Sequence, residues 1–211
     1  MRKFKKLIIA CDGESASGKS TAAKLISRRY KLMLINSGLL YRYASKLIIK
    51  NKPKNNISFL KRKFNKISYK KIAKLNLHSE QISNHVAILS KNKNIRKIIN
   101  NFQKKLIRKN KKICVEGRDI ASKILVKKPK YDLAFYFKCS IKVASYRRWL
   151  DIKKKVSLKS VRKSLSRRTS MDKKRKNSPL IKVKDAILIR TDKLNKKQVL
   201  NKMSKYIDKL N

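Results

Sequence analysis

Eight residues at positions 13–20, GESASGKS, set two glycines, a lysine and several hydroxyls at the spacing G-x-x-x-x-G-K-[ST]. Gly13, Gly18, Lys19 and Ser20 occupy the specified positions. That combination suits phosphate chemistry. Glycines let successive backbone N–H groups turn inward on phosphate oxygens, the lysine neutralises terminal charge, and the hydroxyl serves a divalent cation. The expected contact set is Gly13, Glu14, Ser15, Ala16, Ser17, Gly18, Lys19, Ser20 and Thr21. Lys19 would reach the β- and γ-phosphates of ATP or a similar triphosphate, and Ser20 would ligate Mg2+.

Such a loop works only between a buried strand and a helix whose positive end faces the ligand. The flanks provide both, since the apolar run 6–11 precedes the loop and a helical pattern over 19–29 follows it. Further short apolar runs fall at 32–36, 112–116, 133–139 and 186–190, and helical periodicity falls at 38–50, 140–150 and 195–209. Alternation of this kind predicts an α/β P-loop NTPase fold, a five-stranded parallel sheet flanked by helices. In the last helix Val199, Leu200, Met203, Ile207 and Leu210 form the expected apolar face.

Two stretches exceed what a crossover needs. Residues 37–110 are expected to carry a subdomain, with an exposed loop around Pro53 at 48–58. Residues 152–180 are basic and poor in large apolar side chains, so they are expected to form a mobile lid that buries little.

Lysine is this chain's default cation, so its arginines stand out. Arg42 follows the second strand in NSGLLYR, Arg96 lies in NIRKIINNFQKKL, and Arg118 follows the third strand in EGRDI. Arg168, Asp172 and Arg175 are spaced four and three apart, one face of a helix if that segment is helical. Arginine offers phosphate a rigid fork of donors where lysine offers a point charge. A GTPase-like NKxD or DxxG string in a usable place is missing, so transfer to a second phosphate compound fits better than hydrolysis.

On the strings DGESASGKST, NSGLLYR, VEGRDI, R-x-x-x-D-x-x-R followed by SPL, and DAILIR, the chain resembles the bacterial cytidylate kinase family. They come in the family's order and span nearly the whole chain. The resemblance implies an NMP-binding subdomain over 37–110, a lid over 152–180, and phosphoryl transfer from ATP with Mg2+ to CMP or dCMP in pyrimidine nucleotide metabolism. It assigns Ser37, Arg96 and Asp119 to the nucleoside, with Asp119 on the cytosine amino edge. Arg42, Arg118 and Arg175 take the acceptor phosphate, and Arg168 and Asp172 the sugar. Arg147 and Arg148 match basic positions near ATP. The catalytic set so implied is Lys19, Arg118, Asp119 and Arg175. Departures fall on the base side: the span from Arg42 to Arg96 is short, part of a small sheet there is expected to be missing, and Ala87 and His78 stand where the family has a serine and an arginine. Ser90 would substitute if 80–90 is helical.

Composition bounds the remaining classes. With 61 Lys and Arg against 11 Asp and Glu the net charge is +50, spread along the chain rather than gathered into a stripe. Weak, salt-sensitive RNA adhesion follows from that charge, without a specific nucleic-acid site. Cys11, Cys114 and Cys139 are too widely spaced for zinc and odd in number for a disulfide framework, so buried structural thiols are expected. His78 and His85 lack metal spacing. The first thirteen residues do not resemble a secretory signal, and no segment is long enough to span a bilayer. A cytoplasmic monomer without membrane contact is expected. Two other readings stay open: a kinase for another pyrimidine monophosphate such as UMP, and a basic P-loop protein that binds RNA.

Overall fold

In the computed structural model, which describes residues 4–127 and 129–210, the first apolar run forms β1 (Leu7–Gly13) with every residue buried. The chain continues as α1 (Lys19–Arg29), β2 (Met33–Asn36), α2 (Ser37–Asn51), α3 (Asn56–Lys66), α4 (Tyr69–Ala73), α5 (Glu80–Leu89) and α6 (Lys93–Arg108). Then come β3 (Lys112–Glu116), a π-helical turn (Ile120–Ile124), β4 (Leu133–Lys138), α7 (Ile141–Asp151), α8 (Leu158–Lys173), β5 (Ile187–Arg190) and α9 (Lys196–Ile207). The strands form one sheet in the order β2-β3-β1-β4-β5, parallel at β1–β3, β1–β4 and β4–β5. All five lie where the apolar runs predict them, with ends shifted by one or two residues.

Two compact units result, one of residues 1–35 with 110–211 and one of residues 36–109. In the first, Ile9, Cys11, Phe135 and Phe137 of the sheet pack with Ala23 and Ile26 of α1 and Met203 and Ile207 of α9. β1 is central, so its continuous apolar run follows from burial on both faces. Val199, Met203 and Ile207 are buried as the periodicity predicts, whereas Leu210 lies beyond the helix and is exposed. Cys11, Cys114 and Cys139 are buried and free; the Cys11 and Cys114 sulfurs lie 3.8 Å apart, and burial raises the Cys139 thiol above its ordinary pKa.

The strand order places the carboxyl ends of β1, β3 and β4 side by side, the position where open α/β sheets hold ligands. Gly13 ends β1 opposite Phe137 of β4. A Cβ there would meet the Phe137 carbonyl oxygen at 2.4 Å, so only glycine lets the chain leave the sheet here. At Gly18, φ 79°, a Cβ would meet Thr191 only at 4.0 Å, an ordinary van der Waals contact, so the backbone conformation and not space is the constraint. Gly13→Ala is therefore expected to destabilise by more than about 4 kcal/mol, against about 1–2 kcal/mol for Gly18→Ala. Thermal denaturation of the two variants checks the order.

Apart from Asn36, the last residue of β2, every regular element of the second unit among the described residues is a helix. Its core includes Leu60, Ile72, Leu77 and Ile99, with Phe64 edge-on to Tyr43 and Phe102. The exposed loop expected at 48–58 shrinks to residues 52–55, because α2 runs on to Asn51 and Asn55 caps α3 through Ile57 and Ser58 N–H. The stretch expected to form a lid packs more firmly than its composition suggests. Residues 158–173 form a sixteen-residue helix whose Val161 and Leu165 are buried in a cluster with Cys139 and Ala144, against Trp149 and Ile152 of the neighbouring segment. Two apolar residues one turn apart suffice to seat it. Arg175 lies beyond the helix end rather than on its face.

Candidate active site

The start of α1 is built without the side-chain cap that would occupy its first amide hydrogens, while the Glu14 N–H ahead of it donates to the Phe137 carbonyl at 3.1 Å. Eight of the nine α-helices among the described residues have a serine or asparagine side chain capping the first turn. Only α1 lacks one: its N-cap is Gly18, in the left-handed region. The first N–H groups of α1 therefore face a site rather than a cap, with the helix dipole adding positive potential. Ser17 Oγ donates to the Glu14 carbonyl at 2.9 Å and closes the loop on itself. Thr191, after β5, donates through Oγ1 to the Ser17 carbonyl at 3.0 Å and braces it from outside.

Lys19 and Ser20 converge on Glu116, the last residue of β3. Lys19 Nζ donates to Glu116 Oε2 at 2.8 Å and Ser20 Oγ donates to the same oxygen at 2.6 Å. All three belong to the first unit, and the Lys19 and Glu116 side chains are almost wholly buried. Glu116 escapes sequence reasoning because 96 residues separate it from Ser20 and only the β1–β3 pairing brings them together. An acidic residue ending the strand beside a phosphate-binding loop was the available signal. Hard oxygens from Ser20 and Glu116, set beside the uncapped first turn of α1, fit Mg2+, which takes few protein ligands and several phosphate and water oxygens.

Arg118 forms the second centre. Its Nε donates to Asp172 Oδ2 at 2.7 Å, its Nη1 to the Gly13 carbonyl at 2.9 Å and its Nη2 to Ser15 Oγ at 3.2 Å. Arg175 Nη2 donates to the other oxygen of Asp172. One buried carboxylate thus joins two of the predicted phosphate-binding arginines. α8 is also fastened to the loop by Lys173 Nζ, 2.7 Å from Glu14 Oε1. Between loop and helix lies a cavity of about 370 Å3 lined by Glu14, Ser15, Ile141, Thr169, Ser170 and Lys173, among others. Burial lowers the Arg118 guanidinium below its ordinary pKa, and the nearby carboxylates, Glu116 first, oppose that.

The remaining predicted residues divide by unit. Asp119 is buried at the start of the π-helical turn, and Arg168 is on the exposed side of α8. Arg147 donates to the Thr191 hydroxyl at 3.3 Å and its carbonyl at 2.8 Å, which places it behind the brace on the loop, while Arg148 is exposed. In the second unit Ser37 is buried at the start of α2. Arg42 donates to the Leu77 carbonyl at 3.1 Å and to Ser83 Oγ at 2.9 Å, tying α2 to α5. Arg96 donates to the Ser90 carbonyl at 3.2 Å and lies over the Tyr41 ring. Residues 80–89 are helical, with Ser90 buried at their end.

The chain is similar to known proteins over nearly its whole length. A family model described as cytidylate kinase matches residues 9–209. A cytidylate kinase from Clostridium tetani is 30% identical, covering 96% of this chain and 94% of its own length. A bifunctional pantoate ligase/cytidylate kinase from Prochlorococcus marinus is 33% identical over 96% of this chain, which spans 43% of that larger protein. In fold, the crystal structure of shikimate kinase from Bacteroides thetaiotaomicron superposes with a TM-score of 0.52 at 9% identity, covering 96% of this chain and 98% of that one.

Proposed function

The chain belongs to the cytidylate kinase family, and from that premise we propose that it transfers the γ-phosphoryl group of ATP to CMP or dCMP, giving ADP and CDP or dCDP. The observation that carries this reading is the uncapped α1 behind the phosphate loop, with Lys19 and Ser20 on one side and Arg118 held at the loop by Gly13 and Ser15 on the other. An acceptor phosphate oxygen forms the new bond to the γ-phosphorus, the bond to the β–γ bridging oxygen breaks, and ADP leaves with that electron pair. Mg2+, which Ser20 and Glu116 would help to hold, would supply charge neutralisation for the transferred group.

The chain's own groups do the rest. Amides of residues 13–20 and Lys19 cradle the donor, with Ser20 and Glu116 on the metal side. Arg118 and Arg175 release Asp172 to hold the acceptor phosphate, and Asp172 and Arg168 turn to the sugar. Asp119 of the first unit, and Ser37, Arg42 and Arg96 of the second, are assigned to the acceptor nucleotide. Phosphoryl transfer needs charge stabilisation and in-line positioning more than a strong base, which suits a site rich in forked donors and without a free histidine at the loop. No helix among the described residues is long and apolar enough to cross a membrane. The reading takes the chain as a cytoplasmic monomer whose +50 charge gives only weak RNA adhesion.

Purified chain with ATP and Mg2+ is expected to form ADP only when CMP or dCMP is added, with UMP a poorer acceptor. Equal turnover without acceptor, or stimulation by RNA alone, would replace this reading with nucleotide-dependent RNA binding.

A further inference from the structure

We propose that Asp12, in the central strand, is a positioning residue that sets the Arg118–Asp119 turn against the phosphate loop; the inference rests on the acceptor reading above. Asp12 Oδ1 accepts the Ile120 N–H at 2.9 Å and Oδ2 accepts the Ala121 N–H at 2.8 Å. These are the two amides that follow Arg118 and Asp119. One residue earlier, the Cys11 carbonyl accepts the Gly117 N–H at 2.9 Å. Residues 117–121 are thus pinned at three points to the strand that launches the phosphate loop at Gly13, and Arg118 closes the circuit by donating to the Gly13 carbonyl.

The choice of residue needs explaining. Asp12 is 3% exposed at the carboxyl end of the sheet's central strand, where an apolar side chain would avoid the cost of burying a charge. A carboxylate is the shortest side chain with two acceptors and no donor, so it takes two successive amides at once. Asparagine would satisfy one amide and direct its own N–H2 at the other. A purely structural strand gains nothing from that geometry, while an arginine that must meet a phosphate within a few tenths of an ångström does.

The same burial raises the Asp12 carboxyl to about 6, with the two amide bonds and Lys19 holding it down and Asp119 pushing it up. Arg118, Tyr136 of β4 and Tyr131 ahead of it share this field, and Glu116 lies across on β3. Because the carboxyl binds its proton more tightly folded than unfolded, about 6 against an ordinary 3.8, it adds stability below about pH 4 and loses that contribution as pH rises through about 6. Acceptor positioning has the opposite sign, since protonation removes one acceptor. A catalytic loss between about pH 7 and 5 that is traced to Asp12 is therefore not local unfolding.

The test uses the full chain, 15N-labelled, and Asp12→Asn. In the wild type the Ile120 and Ala121 amide resonances are expected to titrate together near pH 6. Asp12→Asn is expected to lower kcat/KM for CMP about tenfold at pH 8, mainly through KM for CMP, with KM for ATP within about twofold. The wild-type to variant ratio should shrink toward one near pH 5, where the wild-type carboxyl is itself protonated; ionisation of CMP cancels in that ratio. A ratio constant with pH, equal changes in both KM values, or amides that do not titrate between pH 5 and 7 would overturn the proposal. If the variant fails to fold, the wild-type amide titration, set against KM for CMP measured on the same samples, decides it. Absence of CMP-dependent turnover in the wild type removes the parent reading, and the inference with it.

Discussion

Lys19→Ala is expected to cut kcat by at least about 10³ with ATP and CMP both saturating, because the lost group acts on charge that develops on the transferred phosphoryl. The effect on folding should be nearly as informative. Lys19 is buried against Glu116, and taking one partner from a buried ion pair costs roughly 3–5 kcal/mol, since the remaining carboxylate keeps only the Ser20 hydroxyl. Activity and stability thus fall together, and a single variant cannot separate them. Adding Glu116→Gln can. The neutral amide no longer needs a cation, so Lys19→Ala/Glu116→Gln should regain most of the lost stability while remaining inactive. A thermal melt and a saturating rate on the wild type, these two variants and Glu116→Gln alone make the measurement, because Glu116 lies on the metal side and the cost of its own loss must be known. Recovery of activity in the double variant would mean that Lys19 matters only as a partner for Glu116.

That coupling marks where the sequence stops being informative. The phosphate loop was legible because its signal is local: four residue types at fixed spacing, with a continuous apolar run before them and a 3.6-residue period after. The five strands were legible for the same reason. Glu116 was not, because its role depends on β3 lying beside β1, a pairing that no local pattern encodes. The docking of α8 was missed because only Val161 and Leu165 carry it, too few to stand out among 16 residues rich in Lys, Arg and Ser, and because the anchoring polar contacts join Lys173 to Glu14 and Asp172 to Arg118 over long separations. Arg42 and Arg147 show the converse. Both stand out in sequence as arginines in a lysine-rich chain, yet here Arg42 ties α2 to α5 and Arg147 holds Thr191.

Arg118→Ala should be the sharpest test of the acceptor side, because one guanidinium serves three kinds of contact, the Asp172 bond in the free chain giving way to the acceptor phosphate. It reaches the loop through Gly13 and Ser15, α8 through Asp172, and in the proposed reaction the acceptor phosphate. Removing it is expected to lower CMP-dependent ADP formation by about 10³, the scale of a forked donor lost from a phosphoryl-transfer site. Arg118→Lys should recover little, since an ammonium cannot meet the Gly13 carbonyl, Ser15 Oγ and Asp172 from one fixed plane. The carboxylate of Asp172, 5% exposed, would keep Arg175, and the half-exposed Lys173 would be the remaining side-chain link from the C-terminal end of α8 to the loop among the described residues, beside the Leu180 N–H on the Asp172 carbonyl. Exposed pairs of that kind contribute about 1 kcal/mol or less. Amide exchange over residues 166–175 should therefore accelerate in Arg118→Ala, whereas residues 158–165, seated by Val161 and Leu165, should stay protected. A variant that kept more than about a tenth of its CMP-dependent rate would show that Arg118 serves the helix and not the acceptor, at this scale of expected loss. Normal protection over 166–175 would show that the Asp172 link does not hold α8.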